Sequence, residues 1–166
     1  MRQSPTGRGV RPAFGLLLFA AGCALAPQQQ TSRVSTADRH VVNPPGIAPL
    51  VPAYSVAIRA GEQIFVSGMT GIKPGTQDIV DGGVAAQTRQ TLENIRNALQ
   101  SAGAAMADVS ECTVFLLDMG DYAAMNRVYT EFFPVDPPAR AAVAVTALPR
   151  PAARVEIKCS AQMRRR

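Results

Sequence analysis

The chain has no tryptophan, three tyrosines, six phenylalanines and a single histidine, His40, in 166 residues. One imidazole excludes His-rich metal centres, and with no His outside the region before the domain there is no partner for a Ser-His or Cys-His nucleophile. Any chemistry here works without histidine. Aromatics are only 5% of the chain, and no basic patch is interleaved with them, so base stacking and nucleic-acid binding have weak support. The longest apolar run, Ala13 to Ala21 (AFGLLLFAA), is too short to cross a bilayer as a helix.

That run has a telling context. Arg2, Arg8 and Arg11 precede it and Ala20-Ala21-Gly22-Cys23 ends it, which is the charged, apolar, small order of an export signal. Small residues immediately before a cysteine resemble the lipobox of bacterial lipoproteins, whose cysteine is lipidated and becomes the first mature residue. Residues 1–22 are therefore expected to be a lipoprotein-type signal peptide and Cys23 the anchor. The protein would be exported and lipid-anchored to a bacterial membrane, on the periplasmic or cell-surface side. A rival cut after Ala24-Leu25-Ala26 places Pro27 just past the scissile bond. Residues 23–43 are polar and aperiodic and read as a flexible tether, and 164–166 form a basic tail. Three of the seventeen basic residues leave with the signal and no acid does, so the net charge falls from +5 to +2.

The remaining 44–163 form one domain. Tyr54 to Arg59 and Ile64 to Thr70 are β-type runs around a turn containing Gly61. Ala85, Thr88, Leu92, Ile95, Leu99 and Ala102 recur at helical spacing, with Gln87, Arg89, Gln90, Glu93, Arg96 and Asn97 on the wetter side. Gly103 is placed to stop that helix. Val109 to Leu117 reads as a strand. A second helix follows, with Asp121 as its cap and Met125, Val128, Tyr129 and Phe132 on one face, and Pro134 ends it. Two alternating runs close the domain, Ala139 to Ala147 and Ala153 to Met163, joined by Leu148-Pro149-Arg150-Pro151.

The order β-β-α-β-α-β-β implies an α+β two-layer sandwich with both helices on one face of the sheet. The last two strands are expected to pair. The uncovered face, assigned Ala142, Ala144 and Thr146 beside Arg140, is too apolar to stay wet, and an oligomer would bury it. Cys112 and Cys159 lie in apolar strand patterns and read as two buried thiols, with a disulfide open in an oxidising compartment. Arg140 and Glu156 set a cation and an acid on the two closing strands. They form either a cross-strand ion pair or the floor of a ligand site.

Four stretches together resemble the RidA/YjgF family of imine and enamine deaminases. They are Tyr54 with IFVSGMTG (Ile64 to Gly71), AAQTRQTLENIRNALQSAG (Ala85 to Gly103), VFLLDMGDYAAMNRVYTEFF (Val114 to Phe133), and PPARAAVAV…LPRPAARVEI (Pro137 to Ile157). The resemblance implies a chorismate-mutase-like fold, a mixed sheet closing into a homotrimeric barrel, and ligand clefts between subunits. It implies that Arg140 binds a substrate carboxylate and Glu156 orients the attacking water. It places Tyr54, Ser67 and Asn126 with Arg140 in substrate binding. No cofactor is implied. Many members carry a cysteine two residues after the arginine, where this chain has Ala142.

The implied reaction is hydrolysis of 2-imino or enamine acids, such as 2-iminopropionate, to 2-keto acids and ammonia. Two other readings stay open at this point. One is a non-catalytic trimer that binds small carboxylates or a protein; the other is an RNA-cleaving relative, against which few aromatics and a modest charge argue. Residue by residue, Tyr54 equally suits strand-end packing, Ser67 a turn before Gly68, and Asn126 a structural or solvated helix position.

Overall fold

The computed structural model describes residues 38–163. The expected signal peptide, the lipidation at Cys23, most of the tether and the Arg164–Arg166 tail lie outside the described residues. Among the described residues six strands form one sheet: β1 (Arg39–Val42), β2 (Ala57–Ala60), β3 (Gln63–Thr70), β4 (Val109–Leu116), β5 (Ala139–Ala144) and β6 (Val155–Gln162). Their spatial order is β1-β2-β3-β6-β4-β5, antiparallel throughout except for the parallel pair β4 and β5. Two helices, α1 (Gly83–Ser101) and α2 (Tyr122–Phe132), complete the mixed α+β architecture.

The helices form where the periodicity placed them. Val84, Thr88, Leu92, Ile95 and Leu99 of α1 are buried, and Met125, Val128, Tyr129 and Phe132 bury the inner stripe of α2. They meet Ile64, Val66, Val114, Leu116, Val155 and Ile157 from the sheet in one core. Gly103 takes φ +88 just past α1, a conformation a side chain resists. Arg39–Val42, inside the segment expected to be a tether, pairs along β2 as an edge strand.

Four expectations are corrected. First, β5 and β6 do not pair, because β6 inserts between β3 and β4 and leaves β5 at the edge. The proline-rich connection after β5, residues 145–154, is long enough to pass over β4, and β5 finds a parallel partner there instead. Second, Cys112 and Cys159 are not separate thiols: β4 and β6 bring them opposite one another and they are joined as a disulfide. Third, Asp121 does not cap α2. Asp118 supplies the local cap, its Oδ1 accepting from Gly120 N at 2.7 Å, while Asp121 accepts from Arg154 Nε at 2.9 Å.

The fourth concerns Gln87, which is buried rather than wet. Its Nε2 donates to Ala152 O at 3.0 Å and its Oε1 accepts from Arg154 N at 2.7 Å, tying the last connection to α1. Asn94 does the same for the loop after β3, donating to Thr70 O and Ile72 O. Buried polar groups so satisfied fix loops in place instead of weakening the core.

Candidate functional site

Arg140 sits in register with Cys112 of β4, whose side chain is buried in the core that the sheet shares with the helices. Lateral neighbours in a sheet share a face, so Arg140 also points toward the helical layer. There α2 presents Tyr122, Asn126 and Tyr129, residues spaced to fall on one stripe. Arg140 Nη1 donates to Asn126 Oδ1 at 2.8 Å and Nη2 to the Tyr122 hydroxyl at 2.8 Å. Its Cζ lies 4.6 Å from the Tyr129 ring centre and 5.6 Å from that of Tyr122. No carboxylate lies within ion-pair distance of it among the described residues. The guanidinium is thus oriented by neutral groups, with donors left over for an anion. A groove of about 290 Å³ opens beside it, lined by Asn126, Tyr129, Thr130, Phe133, Pro138 and Arg140.

Tyr129 is 3% exposed and its hydroxyl has no hydrogen-bond partner among the described residues. Burial pushes its pKa up to about 12 against the opposing pull of Arg140, so the phenol stays neutral beneath the cation. Ala142, two residues on and on the same face, packs against the core. It therefore does not belong to the uncovered sheet face, as the sequence pattern had assigned it.

Glu156 lies on the opposite face of the sheet. Its neighbours along β6, Val155 and Ile157, are fully buried toward the helices, and the alternation turns Glu156 away from them. Across from it β3 carries a bulge, with the register against β6 shifting between Val66 and Met69. Ser67 and Gly68 are the residues at that shift. A bulge beside a site re-aims side chains, and the missing Cβ of Gly68 leaves the room that the Glu156 carboxylate occupies.

A hollow of about 460 Å³ results, lined by Leu50, Val51, Tyr54, Ser67, Arg150 and Glu156 among others. Ser67 Oγ donates to Ser55 O at 2.7 Å, and the Tyr54 hydroxyl accepts from Leu50 N at 2.9 Å, which leaves its own proton to donate. Desolvation raises the Glu156 pKa above its ordinary 4.5, and no cation among the described residues pulls it back.

The six residues singled out in sequence thus separate into groups. Tyr54, Ser67 and Glu156 share one hollow, and Asn126 and Arg140 share another. Cys23 lies outside the described residues. The cross-strand ion pair between Arg140 and Glu156 does not form: their strands are not neighbours and their side chains face opposite ways. Sequence reasoning missed Tyr122, whose four-residue offset from Asn126 was the available signal. It also missed Arg150, concealed in what read as a mere proline-rich connection.

The mixed sheet, with an oriented guanidinium beside one hollow and a desolvated carboxylate at a bulge in another, defines a two-layer α+β domain. The Endoribonuclease L-PSP family matches residues 47–163, and the chain belongs to that family, the RidA/YjgF group. The 2-iminobutanoate/2-iminopropanoate deaminase of Mus musculus is 36% identical over 128 residues, 77% of this chain and 94% of its own. The chloroplastic Reactive Intermediate Deaminase A of Arabidopsis thaliana is 33% identical over 158 residues, 95% of this chain and 84% of that protein. The crystal structure of RidA from an Antarctic Psychrobacter superposes with a TM-score of 0.70 at 33% identity, covering 75% of this chain and 99% of that one. Deamination of reactive intermediates is thus an activity carried by name among its relatives.

Proposed function

We propose that the protein hydrolyses reactive 2-imino or enamine acids to 2-keto acids and ammonia, in clefts formed where copies of the chain meet as a homotrimer. One observation carries this reading: the oriented cation and the desolvated acid are each left without a neutralising partner. Arg140 anchors the substrate carboxylate through donors that Tyr122 and Asn126 leave free. Glu156 takes a proton from water as the water oxygen bonds to the imine carbon. Glu156 returns that proton to the nitrogen, and the hydroxyl proton of the adduct follows it as the carbon–oxygen double bond forms and the carbon–nitrogen bond breaks. Both protons of the water thus leave on ammonia and the 2-keto acid remains. Tyr54 and Ser67 line the same hollow and position the substrate.

Since a single copy turns the two groups to opposite faces, a second copy must bring them together. The sheet face away from the helices exposes Phe65 at 46% and Val143 at 44%, an apolar surface suited to such an assembly. Positioning with modest acid-base help of about 10²–10⁴-fold suffices for so labile a bond. The disulfide in the core supports export to an oxidising compartment, with Cys23 carrying the lipid.

The test is coupled turnover. An amino-acid oxidase generates 2-iminopropionate in place, and purified protein accelerates release of the keto acid. Arg140→Ala should remove the acceleration. Wild-type protein that binds pyruvate-like acids but leaves the imine lifetime unchanged would establish a binding module instead.

A further inference from the structure

Within one copy the Glu156 hollow is lined by a cation of its own, Arg150, and hydrolysis of a simple imino acid gives it nothing to do. Arg150 stands in the connection between β5 and β6, between Pro149 and Pro151. Its Nη1 donates to Gln77 O at 2.9 Å and its Nη2 to Gln77 Oε1 at 2.7 Å. Two of five guanidinium donors are used, both on neutral acceptors, and the planar group is held with an edge to spare. Arg89, Arg96 and Arg154 each have a carboxylate partner; Arg150 has none within ion-pair distance among the described residues, Glu156 included.

The backbone beneath Arg150 is fixed as well. Ala153 N donates to Arg150 O at 3.0 Å, and buried Gln87 clasps Ala152 O and Arg154 N on either side of Ala153. Binding an anion here therefore requires little new ordering. The hollow's volume of about 460 Å³ accommodates a longer acid than a three-carbon one.

Resting on the deaminase reading, we infer that Arg150 binds a second carboxylate and makes dicarboxylic 2-imino acids the preferred substrates. Arg140 holds the carboxylate next to the imine, and Arg150 holds the one that ends the side chain. The bond changes are those already given: water adds to the imine carbon, ammonia departs with both protons of the water, and the product is a dicarboxylic 2-keto acid. The distal carboxylate is unchanged.

The experiment compares kcat/KM for imines generated from glutamate and from alanine, in wild type, Arg150→Gln and Arg150→Lys. Wild type should favour the glutamate-derived imine by about tenfold, the effect of one charged hydrogen bond, and Arg150→Gln should erase that preference while Arg150→Lys keeps part of it. No preference in wild type, or an equal fall on both imines in Arg150→Gln, overturns the inference and leaves Arg150 as a strut for the Gln77 loop. Titration with 2-oxoglutarate and 2-oxobutyrate separates this from failure of the deaminase reading. Protein that turns over neither imine but binds 2-oxoglutarate more tightly, with the difference lost in Arg150→Gln, supports the dicarboxylate site and sinks the activity. Equal affinities overturn the inference whatever the turnover.

Discussion

Arg140 and Glu156 face opposite sides of one sheet, with β4 between their strands: Arg140 is in register with Cys112, and Glu156 with Phe115. No rotamer change brings them to one ligand within a copy. If the cleft is shared, two dead variants should rescue each other. Arg140→Ala and Glu156→Gln, unfolded and refolded together in equal amounts, should recover roughly a quarter of wild-type turnover, since a quarter of randomly formed interfaces pair an intact Arg140 with an intact Glu156. Mixtures as inactive as their components would show that the site lies within one copy or does not exist.

The carboxyl of Glu156 titrates above its ordinary 4.5 because burial disfavours its charge. The sign follows directly: the folded state binds the proton more tightly, so the contribution of Glu156 to stability is full below the unfolded pKa and declines as pH rises through the folded one. Glu156→Gln should therefore be more stable than wild type at neutral pH, with the gap closing below about pH 4.5. Turnover depends on the opposite form, so its acid limb should lie above pH 4.5. A Glu156→Gln variant less stable than wild type at pH 7 would contradict the desolvated carboxylate.

The helices were legible because burial repeats along them at fixed spacing: Leu92, Ile95 and Leu99 declare α1, and Met125 and Phe132 declare α2. Strand neighbours were not, since Arg140 and Glu156 each show alternation but nothing in either strand states its partner. The choice of β4 over β6 as neighbour of β5 is made by long-range packing, and the disulfide follows from the pairing of β4 with β6. Alternation also leaves the side undetermined. Ala142 and Arg140 were rightly put on one face, but which face meets the helices depended on the register with Cys112. Ser67-Gly68 read as a turn because a bulge is visible only against the partner strand.

The Cys112–Cys159 disulfide closes a loop with a sequence separation of 47 and joins β6, which carries Glu156, to β4, the strand between it and the β5 that carries Arg140. A cross-link of that span stabilises by about 2–4 kcal/mol, mainly by restricting the unfolded chain. Replacing both cysteines by alanine, or unfolding under a strong reductant, should lower the thermal midpoint by about 10 °C. A midpoint unmoved by either treatment would mean that the thiols are not paired in the native protein.

Tyr129 contributes its ring to Arg140 while its hydroxyl stays buried and unpartnered. Such a group costs about 1–3 kcal/mol in lost hydration. Tyr129→Phe keeps the ring, so stability should hold or rise and turnover should change less than about threefold. Tyr129→Leu removes the platform and should raise KM more than it lowers kcat. If Tyr129→Phe instead loses more than about tenfold in turnover, the hydroxyl works through a partner supplied by a ligand or a neighbouring copy.

Gly68 offers a way to move the Glu156 carboxylate without touching its charge. A Cβ built there meets the Glu156 side chain and nothing closer, so the obstacle is the end of a flexible chain rather than backbone. Gly68→Ala should therefore fold normally, with a thermal midpoint within a few degrees of wild type, because the carboxylate swings aside at little cost. Displacement of a proton-transferring group by about 1 Å is enough to reduce the rate about 10²-fold. The loss should appear in kcat, with KM nearly constant, since Arg140 still holds the substrate carboxylate. Full activity in Gly68→Ala would mean that Glu156 has no positional role, and the water-activating assignment would have to go to another group.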